Sequence, residues 1–191
     1  MKLRNLLTLF ILTVLAVPLC LAGSIKGKVS PGKSVVYLEN ASGAVTLVSD
    51  KKVTMDQRGL QFQPHVLVVQ AGTTVEFLNS DKVAHNVFWP SVGGDKKKTH
   101  NLGTWPTGQN KPFQFNDPGA VPLLCNVHPE MSGYIVVSPT PYFTETSADG
   151  AFELPNVPDG QYTITAWHEG KKAQSKKITV SGATTADFTL Q

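Results

Sequence analysis

The chain has 191 residues, 41% of them hydrophobic and 16% charged, and its 17 Lys and Arg stand against 14 Asp and Glu for a formal net charge of +3. Lys2 and Arg4 belong to a basic start ahead of an apolar run, so the remainder of the chain is close to neutral and nucleic acid is not an implied partner. The length suits one large or two small domains, and after the first apolar run no segment is long enough for a transmembrane helix.

The opening Met1-Lys2-Leu3-Arg4-Asn5, the apolar run from Leu6 to Val17 and the small-residue end at Cys20-Leu21-Ala22 read as a secretory signal over residues 1–22, cleaved after Ala22. The product is then periplasmic or secreted. Lipidation at Cys20 is disfavoured by the bulky Leu19 before it. Cleavage leaves Cys125 as the single cysteine, and an odd thiol in an exported protein is either reactive or a metal ligand.

From Ser24 to Val48 the apolar positions alternate or fall in short runs, at Ile25, Val29, Val35 to Leu38, Val45 and Leu47, punctuated by Pro31-Gly32 and Ser42-Gly43. These are strand and turn signals without helical periodicity. More strands are expected at Val53 to Asp56, Gln61 to Gln63, His65 to Val69 and Thr73 to Leu78, with Ala71-Gly72 as a hairpin break. Residues 91–111, with Gly93-Gly94, Lys96-Lys97-Lys98, Gly103 and Gly108, read as a loop whose Lys triplet is a solvated surface, or a contact for an acidic partner.

Strand formers resume at Lys111 to Phe115, at Val121 to Leu124 and at Tyr134 to Val137, before Ser138-Pro139-Thr140-Pro141 marks a boundary. Between the last two runs lies Cys125-Asn126-Val127-His128-Pro129-Glu130-Met131. A loop between two strands can aim a thiol, an imidazole and a thioether at one point, and copper takes such donors in a trigonal Cys-His-His site with a weak axial Met. The second imidazole has to come from elsewhere. His85 in Val83-Ala84-His85-Asn86-Val87-Phe88 is the candidate, since it alone joins a preceding polar strand end, Asn79-Ser80-Asp81, to a following Asn.

On these residues, with Phe62-x-Pro64 and Ala71-Gly72-Thr73-Thr74-Val75-x-Phe77-x-Asn79, the stretch 51–138 resembles the cupredoxins, the small blue copper proteins, and its loop spacing is similar to the short ligand loop of the amicyanins. The resemblance implies one type I copper ion held by His85, Cys125, His128 and Met131. It implies also that Asn86 ties its strand to the Cys segment and that His128 is the electron exit. Pro129 would stiffen the loop through its fixed φ. Met131 as core filler and Asn86 as a solvent-facing strand residue remain open on the sequence.

A second signature, Asp149-Gly150-Ala151-Phe152 through Pro158-Asp159-Gly160-Gln161-Tyr162, resembles the carboxypeptidase regulatory-like family of transthyretin-like β-sandwiches. Residues 140–191 carry about four strand signals, too few for a two-layer sandwich, and residues 24–48 carry more of the same kind. The expected fold is all-β: a Greek-key cupredoxin sandwich over 51–138, inserted into a smaller discontinuous sandwich built from 24–50 and 139–191.

The expected function is one-electron transfer between redox partner proteins, such as a dehydrogenase or a cytochrome, by a monomer without enzyme activity. Copper delivery or storage is the alternative, against which stand only three Met and one cysteine left after cleavage. A thiol enzyme would need a separate base and oxyanion donors that the loop does not provide. A multicopper oxidase would need His-x-His pairs, which this sequence lacks.

Overall fold

The computed structural model describes residues 22–41 and 52–191. The signal segment, with Cys20, and the expected strand around Val45 and Leu47 lie outside the described residues. Among those described there are seventeen strands and one 3₁₀ turn, and no helix long and apolar enough to cross a membrane.

The chain begins with β1 (Ala22–Ser30) and β2 (Val35–Leu38), then runs through β3 (Val53–Gln57), β4 (Phe62–Gln63), β5 (Val66–Gln70), β6 (Thr73–Asn79) and β7 (His85–Trp89). It continues with β8 (His100–Trp105), β9 (Asn110–Phe115), β10 (Gly119–Leu124) and β11 (Ser132–Ser138). The tail supplies β12 (Phe143–Glu145), β13 (Ala151–Pro158), β14 (Gly160–Trp167), β15 (Gln174–Val180), β16 (Ala183–Thr185) and β17 (Phe188–Thr189).

One sandwich faces a sheet ordered β5-β11-β10-β7-β8 with a sheet ordered β4-β3-β6-β9. Its core runs through Met55, Phe62, Val75, Phe77, Trp89, Trp105, Leu123 and Ile135, and takes in Cys125 and Met131 at one end. Strand alternation builds it: in β6, Val75 and Phe77 are fully buried while Glu76 between them is not.

The expected hairpin at Ala71-Gly72 is not formed. β5 runs parallel to β11 in one sheet, whereas β6 pairs with β3 and β9 in the other, so the turn carries the chain across the sandwich. The stretch 91–111 is not one loop either. A 3₁₀ turn at Lys96–Lys98 leads into β8, which pairs with β7 through a bulge between Val87 and Phe88. Gly103 in that strand has φ of +80°, a conformation that breaks the alternation by which strands are read. The Lys triplet is exposed, and Lys98 pairs with Asp117 at 2.6 Å.

The second pair of sheets draws on both ends of the chain. β1 lies between β13 and β16 and also pairs with β17, while β2 lies between β12 and β14, with β15 outside β14. Ile25, Val29, Val36 and Leu38 from the first strands share a core with Leu154, Val157, Ile164 and Phe188 from the last. Residues 140–191 hold six strands rather than about four, the added ones being the short β12, which pairs with β2, and β16, which docks on β1. Gly150 is fixed by its surroundings, since φ is +84° and a Cβ would sit 2.1 Å from the Val29 carbonyl oxygen.

The sandwiches meet near the starts of β5 and β11. Tyr134 packs on Trp167 with ring centroids 5.2 Å apart, and His65 contacts Glu169 at 2.5 Å. Burial, and then the Glu169 carboxylate, push the Tyr134 hydroxyl above its usual range.

Candidate metal centre

The site forms where β7 and β10 end together. Their single ladder pair, Leu124 with Phe88, sets the next residue, Cys125, beside the start of β7, and the Asn86 N–H donates to its sulfur at 3.4 Å. The ligand loop then turns tightly, the Met131 N–H donating to the His128 carbonyl at 3.0 Å, before β11 begins.

This turn returns the His128 ring to β7. Its Nδ1 lies 3.0 Å from Nδ1 of His85, with ring centroids 4.7 Å apart. Ligand atoms of His85, Cys125 and His128 all lie within 4.8 Å of one another. His85 is fully buried, Cys125 is 3% exposed and Met131 1% exposed, while His128 is only partly covered.

His85 Nε2 lies 2.9 Å from the Asp81 carboxylate, an acceptor, and its Nδ1 faces Nδ1 of His128 at 3.0 Å. These nitrogens are grouped with the Cys125 sulfur, a soft and borderline donor set suited to copper. The residues present therefore fit the metal.

Asn86, in β7, is bonded both to the segment after β10 and to β8. Its Oδ1 accepts from the Asn126 N–H at 3.3 Å, and its Nδ2 donates to Asn101 Oδ1 at 2.9 Å. Pro129 is exposed on the loop. The other imidazoles are held elsewhere: His65 at Glu169, His100 against Trp89 and Phe113, and His168 on the Glu169 carbonyl.

Sequence reasoning missed Asp81 and Asn101. Asp81 accepts from the Gly59 N–H at 2.6 Å, the Leu60 N–H at 3.0 Å and His85. Partial burial works against its charge, but the Leu60 and Gly59 N–H groups and His85 outweigh that and hold it below the usual carboxylate range. The only trace in the sequence is a carboxylate four positions before the candidate His.

A β-sandwich that brings one thiol and two imidazoles together has the features of the cupredoxin class. Residues 49–138 match the family model of copper binding proteins of the plastocyanin/azurin family. Residues 134–191 match the carboxypeptidase regulatory-like domain. Amicyanin-alpha of Methylorubrum extorquens is 31% identical over 78 residues, which are 41% of this chain and 65% of that protein, so the chain spans just under two thirds of this curated relative.

Solved structures overlap in part. A Cu(I) amicyanin mutant has a TM-score of 0.43 and 23% identity, covering 56% of this chain and 99% of that one. A purple cupredoxin from Nitrosopumilus maritimus has 0.41 and 25%, covering 46% and 100%. A Cu-containing nitrite reductase from Thermus scotoductus SA-01 has 0.43 and 28%, covering 50% of this chain and 25% of that one. The matched family model is of copper binding proteins, and His85, Cys125 and His128 are placed to bind a metal.

Proposed function

We propose that this chain is an exported type I copper protein that carries one electron at a time between redox partners and has no catalytic activity of its own. The observation that carries the reading is the convergence of His85, Cys125 and His128 within 4.8 Å at one end of a closed sandwich. Bound copper would supply a one-electron Cu(II)/Cu(I) couple. Cys125 would give the soft thiolate, His85 and His128 would give the imidazoles, and Met131 would add a weaker thioether donor.

The protein's own part is to hold these donors still and leave one edge open. His85 and Cys125 are sealed inside, so the partly covered His128 is the port for electrons. Leu60, Val83 and Val127 are the exposed large hydrophobics among the described residues. Each belongs to a segment of the site: the Leu60 N–H reaches Asp81, the Val83 carbonyl accepts from Asn79, and Val127 precedes His128. A dehydrogenase or cytochrome docking here would meet an apolar rim around the imidazole edge, which suits brief encounters. Asn86 fixes the distance between the two ligand strands, and Pro129 stiffens the loop between them.

Adding Cu(II) to the protein tests this. An intense thiolate-to-copper absorption band with narrow EPR hyperfine splitting is expected; copper that binds without that band would indicate delivery or storage instead. Met131→Gln should keep the colour but lower the reduction potential, by about 59 mV for each tenfold gained in preference for Cu(II) over Cu(I). An unchanged potential in a redox titration would return Met131 to the core.

A further inference from the structure

The Asp81 side chain makes three hydrogen bonds beside the site, and they tie the turn before β7 to the turn between β3 and β4 and to His85. It lies in the turn between β6 and β7. Oδ1 accepts from the Gly59 N–H at 2.6 Å, while Oδ2 accepts from the Leu60 N–H at 3.0 Å and from His85 Nε2 at 2.9 Å. The Asp81 main chain is fixed as well, its N–H donating to Asn79 Oδ1 at 3.0 Å and its carbonyl accepting from Thr107 Oγ1 at 2.5 Å.

The turn that aims two N–H groups at Asp81 is bent for the purpose. Gly59 has φ of +66° and Leu60 of +57°, the left-handed pair that joins β3 to β4, and the Arg58 N–H closes the turn on the Gln61 carbonyl at 3.0 Å. Leu60 is a bulky residue in a conformation that L side chains avoid, and it is 41% exposed, so burial does not explain its place there. The two-residue hairpin between β3 and β4 requires it, and the bond from the Leu60 N–H to Asp81 ties that turn to the site.

We propose that Asp81 is a positioning residue for the copper site, one that keeps the His85 proton on Nε2, presents Nδ1 to the metal and strengthens that nitrogen as a donor. The inference rests on the copper reading above. Because His85 is fully buried, an Nε2–H without Asp81 would have no acceptor. The proton could then move to Nδ1, the atom that faces His128 and is needed for the metal. With Asp81 in place the negative charge behind the ring raises its basicity, an arrangement that favours the more highly charged Cu(II). The turn donors have their own function here: they hold the carboxylate in line, so its position does not depend on the metal.

The test compares wild type, Asp81→Leu, Asp81→Asn, Asp81→Glu and a control, Thr107→Val, which loses only the bond to the Asp81 carbonyl. In metal-free protein, nitrogen NMR should show the His85 proton on Nε2 in wild type and Thr107→Val, and a shift toward Nδ1 in Asp81→Leu, which leaves Nε2–H no acceptor. In copper-loaded protein, Asp81→Asn should lose about tenfold in preference for Cu(II) over Cu(I), an upward move of about 59 mV, with Asp81→Glu restoring most of it. Wild-type protein with its His85 proton on Nδ1 would overturn the proposal without any variant. So would an Asp81→Asn protein with wild-type potential. If wild type itself gives no thiolate band with Cu(II), the copper reading has failed, while the NMR result still decides whether Asp81 sets the tautomer.

Discussion

Cys125→Ser is expected to remove the coloured copper site completely while leaving a folded protein. Cys125 is 3% exposed and contributes to the cupredoxin core, and Ser is close to it in size, so the cavity left is small. The chemistry changes far more than the packing. A serine oxygen is hard, stays protonated near neutral pH and cannot make the soft covalent bond that gives the absorption. His85 and His128 would still hold Cu(II) weakly, without the band. His85→Ala should instead keep a thiolate band that exogenous imidazole strengthens by entering the opened position. His65→Ala and His100→Ala should leave the spectrum alone, because these rings are held at Glu169 and Trp89. Absorption spectra of the four variants, with metal-free melting curves as a check on folding, decide the matter. A band that survives in Cys125→Ser, or bleaches in His65→Ala, would remove the proposed ligand set.

The proposed ligands could be named from the sequence because copper chemistry restricts both donor type and spacing, and Cys125, His128 and Met131 lie on one loop. His85 could be singled out among the histidines only by its neighbours. Asp81 and Asn101 could not, since nothing local marks them. Asp81 gains its meaning from a turn twenty-odd residues earlier, and Asn101 from the pairing of β8 with β7 across a bulge. That same bulge, with Gly103 at φ +80°, hid β8 inside a stretch rich in Gly and Lys. Ala71-Gly72 is a similar case. A turn that reverses a strand within a sheet and one that carries it to the facing sheet use the same residues, and only long-range pairing separates them.

The second large effect concerns the first two strands. We propose that the two cores are separate folding units, with the copper-binding sandwich set into the other. Deleting residues 24–48 would then unfold residues 140–191 and spare the colour. β1 is the middle strand of its sheet and β2 separates β12 from β14, so the deletion takes the interior strand from both layers. Ile25, Val29, Val36 and Leu38 are each exposed by 2% or less. At about 1.5–3 kcal/mol for each such side chain, their loss is comparable to the whole stability of a small domain, about 5–15 kcal/mol. The cupredoxin core shares no residue with the other core, and the contacts of Tyr134 with Trp167 and of His65 with Glu169 lie at the rim between them. Residues 51–138 expressed alone should accordingly fold and colour with copper. Limited proteolysis of the deletion variant should digest the C-terminal part and leave a blue fragment ending near Ser138. If the deletion bleached the protein while residues 140–191 resisted protease, the first strands would belong to the copper-binding sandwich and the proposed division would be wrong.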